Sequence, residues 1–206
     1  MAQGVRLILA SASPARRRTL RAAGLGCEVI VSGIDETALA ADRVSDMVAE
    51  LARRKAEAVS DRLRRSRRPT VIIGCDSMLE LNGQPYGKPE TAAAALQRWQ
   101  LMSGRSGVLH TGHHVILRDA ETTLARTAVA STTVHFAELS PAEMQAYVAT
   151  GEPLEVAGSF TIDGLGGAYV TGIEGDHHNV VGISLPLLRT LLCELGLDWP
   201  GMWVRR

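Results

Sequence analysis

Residues 69–76, PTVIIGCD, run apolar and then stop at an acid. A stretch this continuous reads as a central strand covered on both faces. A carboxylate at the end of such a strand is costly unless it finds a partner. A fold built on this stretch therefore has to cover the strand with other elements and supply Asp76 with company.

Two more strands precede it, VRLILA at 5–10 and CEVIVSG at 27–33. Polar groups follow each strand at once: Ser11, Ser13 and Arg16 after the first, Asp35 and Glu36 after the second, Asp76 and Ser77 after the third. In α/β sheets ligands bind outside the carboxyl ends of the strands. If these strands run parallel, the three groups converge on one cleft.

The intervening segments read as helices. Ser13 followed by Pro14 is an N-cap with proline at the first helical position, and the helix stops at Gly24. Residues 44–64 place Val44, Met47, Val48, Leu51, Ala52 and Val59 on one face. Asn82-Gly83 makes a tight hairpin turn between SMLEL and QPY, and a helix follows from Glu90 to Met102. Segments 107–118 and 122–136 read as an antiparallel ribbon, SPAE at 140–143 as a capping box, and SLPLLRTLLCEL as a closing amphipathic helix. The glycine-rich GSFTIDGLGGAYVTGIEGD reads as loop, strand and turn. With no repeat and no low-complexity linker, the chain is expected to be one domain over 1–206. Its expected class is α/β, a twisted mixed sheet flanked by helices.

Charge limits the partners. Lys plus Arg and Asp plus Glu both number 22, so no general attraction to nucleic acid or anionic membrane is expected. The aromatic share of 4% also speaks against a single-strand binding surface. Cys27, Cys75 and Cys193 are too dispersed for a CxxC zinc site and read as buried reduced thiols of a cytoplasmic protein. The apolar run near the start is too short for a signal peptide, and no stretch approaches a membrane span.

An anion must therefore be met by a local site. SASPARRR offers hydroxyls and backbone N–H groups at a helix N-terminus, with arginines just inside it. The same residues also read as an ordinary capped helix with a solvated arginine face. Asp35, Glu36 and Asp76 have few cationic neighbours in sequence, and clustered carboxylates facing phosphate commonly hold a hard divalent cation. One of them could instead deprotonate water; Asp35 and Glu36 equally read as solvated loop residues. The chain writes its positive charge as 20 arginines and keeps only Lys55 and Lys88. Those two positions are read as needing a compact ammonium, as phosphate sites do.

Other signals are set aside. GQPYGKP lacks the hydroxyl of a phosphate loop, and GLGGAY lacks dinucleotide-binding spacing. HTGHH and DHH are read as exposed strand or turn histidines rather than zinc ligands, and RLRRSRR at 62–68 as a solvated helix C-terminus.

In order along the chain, LILASASPARRRTLRAAG, GIDET, LARRKA, GCDS…GKP, HTGHHV and EVAGSF…GLGGAY…IEGD…NVVGISLPLL resemble the Maf proteins, over about residues 6 to 195. The resemblance implies a Maf/ITPase-like fold with two lobes around an active-site cleft, as a homodimer. It implies metal-dependent hydrolysis of a nucleoside triphosphate to the monophosphate and pyrophosphate, with Mg²⁺ or Mn²⁺, to clear non-standard or surplus nucleotides. By position, Asp76 matches the proton acceptor and Glu36 an acid helping to hold metal or water. Ser11, Arg16, Lys55 and Lys88 match phosphate-contacting positions, and Ser13 stands beside them. The base-recognising positions depart from the family's subgroups. The dTTP/UTP subgroup usually reads SPRR, then threonine and glutamine, where this chain has Ala15, Ser77 and Asp163; Val156 also replaces a frequent lysine. The 7-methyl-GTP subgroup usually has tryptophan, glutamine and glutamate. An acid at Asp163 would accept from a guanine N1–H and amino group, or from a cytosine amino group. The base stays open. A non-catalytic nucleotide-binding regulator of cell division is the alternative.

Overall fold

The structure, a computed structural model, describes residues 4–36 and 41–204. Residues 37–40, between Glu36 and the helix expected from 44, lie outside the described residues. The elements run β1 (Arg6–Leu9), α1 (Pro14–Ala22), β2 (Glu28–Val29), α2 (Val44–Arg62), β3 (Thr70–Leu81), β4 (Gln84–Tyr86), α3 (Ala92–Met102), β5 (Ser106–Arg118), β6 (Thr123–Phe136), α4 (Pro141–Ala149), β7 (Val170–Glu174), α5 (His177–Val181) and α6 (Leu185–Glu194). Short 3₁₀ turns fill 152–169 and 200–202. The seven strands form a mixed sheet in the order β2-β1-β3-β5-β6-β7, with β4 on β3. This is the α/β class expected.

The chain divides into two compact units. The first comprises 1–76, 111–130 and 182–206. Here β1 pairs parallel with both β2 and β3, Leu9 standing opposite Val29 and Ile73. The three strands run parallel, as expected, and the carboxyl ends of β1 and β2 lie side by side. β3 does not stop at Asp76 as expected but runs on to Leu81, so Asp76 is an interior strand residue three positions past the end of its pairing with β1. One face buries Leu7, Leu9, Val71, Ile73 and Cys75 with Leu20 of α1 and Leu188, Leu191 and Leu192 of α6. The other buries Ile8, Ala10 and Ile72 with Ala56 and Val59 of α2. β3 is covered on both faces, which is why PTVIIGC has no polar alternation.

Helix α2 comes unusually close to the strands. A Cβ on Gly74 would lie 2.1 Å from the Ala52 carbonyl oxygen, and one on Gly112 the same 2.1 Å from that of Val48. Only glycine permits both approaches.

The second unit comprises 77–110 and 131–181. Trp99 is its centre, fully buried and packed edge-on against Phe136, Tyr147 and Tyr169. The Asn82-Gly83 turn has φ of 51° and 75°, and the Ser140–Glu143 capping box forms reciprocally. Thr91 caps α3, so this helix starts later than Glu90.

Several expectations change. Strand β2 is two residues rather than the length of CEVIVSG, and both are exposed. β3 continues straight into the hairpin arm because the chain has no break between Asp76 and Leu81. Helix α2 ends at Arg62, and Arg64, Arg65, Arg67 and Arg68 lie in an exposed loop beyond it. Cys27 is half-buried and Cys193 exposed, so only Cys75 is a buried thiol. Among the described residues, no helix is long and apolar enough to cross a membrane.

Candidate active site

The first unit gathers its polar groups just beyond the carboxyl end of β1 and at the middle of the neighbouring β3. Asp76, four residues beyond Ile72, is 6% exposed. Lys55 of α2 is 6% exposed and donates a short hydrogen bond from Nζ to Asp76 Oδ1. The same Nζ lies 2.8 Å from Glu36 Oε1, whose own carboxyl is half exposed. One ammonium thus holds a buried and a solvent-facing carboxylate. The Gly74 approach allows this: it lets α2 descend at Ala52 and Ala56, and Lys55 sits one position before Ala56.

Burial pushes the Asp76 carboxyl above its usual range. Lys55 and Arg16 act against that rise through their charge, and Glu36 adds to it. The outcome is a carboxylate more basic than a surface one yet held close to cations. The neighbouring Cys75 thiol is pushed up to about 11 by burial and stays a protonated spectator.

Arg16 is buried rather than splayed into solvent. Its Nη1 donates to Ser11 Oγ and to the Cys75 carbonyl, both at 2.9 Å, and its Nε to the Gly182 carbonyl at 2.7 Å. Ser11 Oγ also accepts from Ser13 N at 3.2 Å, and Ser13 Oγ caps α1 by accepting from Arg16 N. The Ser11–Ser13–Arg16 set is therefore a knit turn at a helix N-terminus. Ala15 lies half-buried in its first turn.

Ser77 follows Asp76 along β3 and is half-buried. In the second unit, Lys88 is exposed between Gly87 and the buried Pro89. The Gly87 carbonyl accepts from Gly158 N at 3.1 Å and from Arg98 Nη1 at 2.5 Å. Arg98 also reaches Ser159 Oγ at 2.8 Å and lies over the Tyr86 ring. Asp163 is exposed, in the loop between Thr161 and Leu165.

Three residues escaped the sequence reading. The histidines of HTGHH are not uniformly exposed: His113 is fully buried and His114 nearly so. β5 is an interior strand, and His113 Nε2 accepts from Ser184 N at 2.9 Å while Nδ1 donates to the Thr111 carbonyl. Its imidazole is thus a neutral brace for the start of α6. The third is Glu152, which accepts four hydrogen bonds; in GEPLE it looks like any surface acid, and only the glycines at 164 and 166 hint at crowding.

Among the described residues no group of three or more His, Cys, Asp or Glu could hold a metal ion. Asp76 and Glu36 nevertheless fit a divalent ion by donor type. Magnesium takes one or two carboxylates from a protein and fills its remaining positions with water and phosphate oxygens.

The parallel strands β2, β1 and β3 within a seven-stranded mixed sheet, with helices packed on its faces, define an α/β protein. The chain belongs to the Maf family, whose Maf-like protein model matches residues 6–195. It is similar to the "Nucleoside triphosphate pyrophosphatase" of Salinispora tropica, 58% identical over 98% of this chain and 88% of that protein. The protein of the same name from Nocardia farcinica is 51% identical, covering 96% of each chain. Among solved structures it is similar to the Staphylococcus aureus Ham1 protein, at a TM-score of 0.40 and 16% identity over 65% of this chain and 72% of that one, a likeness too slight to carry an argument.

Proposed function

We propose that the protein is a nucleoside triphosphate pyrophosphatase, releasing pyrophosphate and leaving the nucleoside monophosphate. The observation that carries the reading is Asp76, buried within β3 and paired with Lys55, which also pairs with Glu36. Hydrolysis between the α- and β-phosphates needs a water aimed at the α-phosphorus and positive charge on the departing pyrophosphate. Asp76 meets the first need. Its raised basicity suits it to take a proton from water, and Lys55 fixes its carboxylate. Ser11, Ser13 and Arg16 offer hydroxyls and a helix N-terminus to phosphate oxygens. Lys55 and Lys88 supply compact positive charge for the leaving group. Glu36 and Asp76 would hold Mg²⁺ or Mn²⁺, which when bound supplies charge neutralisation at the phosphate oxygens.

Ala15, Ser77 and Asp163 are the proposed base-contacting positions, with Asp163 accepting from exocyclic amino or ring N–H groups. The same reading carries a cytoplasmic homodimer that clears non-standard or surplus nucleotides and binds neither nucleic acid nor membrane. The shared name of the relatives supports catalysis, and nothing favours the non-catalytic regulator. The deciding experiment measures pyrophosphate release from canonical and methylated nucleoside triphosphates with Mg²⁺ or Mn²⁺, for wild type and Asp76→Asn. Metal-dependent release that the substitution abolishes is the expected result. Binding without release from any nucleotide would return the regulator.

A further inference from the structure

Glu152 is the most heavily engaged carboxylate of the second unit. Its Oε1 accepts from Tyr147 Oη at 2.8 Å, Thr161 Oγ1 at 2.7 Å and Gly166 N at 2.9 Å; its Oε2 accepts from Leu165 N at 2.9 Å. Tyr147 is itself 2% exposed and packed on Trp99 and Tyr169. The hub is thus anchored in the core and points outward at one loop.

That loop is 161–166. Glu152 grips both of its ends, Thr161 on one side and the Leu165 and Gly166 amides on the other, and Asp163 is at its middle. The fit is close. A Cβ on Gly164 would lie 2.5 Å from Glu152 Oε2, and one on Gly166 2.3 Å from Tyr147 Oη. A Cβ on Gly167 would lie 2.7 Å from the Ile162 carbonyl oxygen. Gly164 and Gly166 therefore make room for the hub and Gly167 for the loop's own backbone, and the path of the chain through Asp163 has little freedom.

We infer that Glu152 is a positioning residue for base selection: through Tyr147, Thr161 and the two amides it holds the Asp163 loop in the one shape that can read a nucleobase edge. This rests on the reading of Asp163 as a base-contacting residue. Glu152 itself touches no substrate. A recognition carboxylate discriminates between bases only if its direction is fixed, because a mobile one swings to accept from any amino group it meets. A glutamine at 152 keeps the shape of the side chain but turns one acceptor oxygen into an NH₂ group. At least one donor of the loop then faces another donor, and the loop is released.

The test compares kcat and KM across a panel of purine and pyrimidine nucleoside triphosphates for wild type, Glu152→Gln and the milder Thr161→Val, which removes one of the four donors. Glu152→Gln should reduce the kcat/KM ratio between the best and second-best bases by about tenfold or more. The loss should come through KM for the best base, with kcat on the poorest base held within about twofold. Thr161→Val should move the ratio the same way by about threefold, and it carries the test if the glutamine variant does not fold. An unchanged ratio in a variant whose melting temperature has fallen would overturn the inference, leaving Glu152 a structural brace alone. A wild type that treats all bases alike would overturn it too. A wild type that releases no pyrophosphate from any nucleotide overturns the proposed function itself, a separate result.

Discussion

Two carboxylates, one in each unit, are partly removed from water and end with opposite basicity. Asp76 is held by cations, Lys55 directly and Arg16 at longer range, yet burial leaves its carboxyl above the ordinary range. Glu152 is opposed by burial too, but hydrogen bonds from Thr161, Gly166, Leu165 and Tyr147 draw its carboxyl down to about 2. Four donors engage Glu152, three on Oε1 and one on Oε2, and hydrogen bonds to the charged form make it a weaker base. Asp76 has fewer donors and more desolvation, which suits a group that must exchange a proton. Charge alone does not mark a reactive acid; the kind of partner does.

The sharpest way to break this contrast is Asp76→Asn. Turnover should fall by about 10²–10⁴-fold while far-UV circular dichroism and cooperative melting persist. A variant retaining wild-type turnover would show that the buried carboxyl is not the base. Next comes Gly74→Ala, whose new Cβ would press on the Ala52 carbonyl and on Ala56 N at 2.9 Å. Urea unfolding should show a loss of about 2–3 kcal/mol. Turnover should drop with it, because displacing α2 withdraws Lys55 from Asp76; full activity would separate the helix approach from the site.

Glu152→Gln should cost about 1–2 kcal/mol near neutral pH. Its folded-state carboxyl is depressed from 4.5 to about 2, so its contribution is complete above the unfolded value and fades as pH falls through that window. Chemical denaturation from pH 6 down to about 2 should therefore show the wild type and the variant converging. A gap that stays constant with pH would show that the hub works by shape rather than charge. The smallest effect on folding belongs to Lys88→Ala, because the residue is exposed. Stability should change by no more than about 0.5 kcal/mol, while pyrophosphate release falls by about tenfold or more. Normal release would remove Lys88 from the site.

Features set by near neighbours were legible in advance. The Ser13-Pro14 start of α1, the Asn82-Gly83 turn, the Ser140–Glu143 box and the apolar face of α2 all follow from interactions within a few residues; the apolar strand was legible too, but not its continuation past Asp76 to Leu81. The same local logic marked Lys55, Glu36 and Asp76 as chemically interesting. It could not say that one ammonium joins residues 36, 55 and 76, since that depends on where α2 crosses β3. It misjudged His113 and His114, because burial depends on a strand's rank in the sheet rather than on its own residues. It passed over Glu152, whose donors come from residues 147, 161, 165 and 166. The sequence by itself determined the elements and the residue types available for chemistry. Only the tertiary structure decided which carboxylate is desolvated and which is held by several donors, because desolvation and hydrogen-bond count are properties of surroundings assembled from distant parts of the chain.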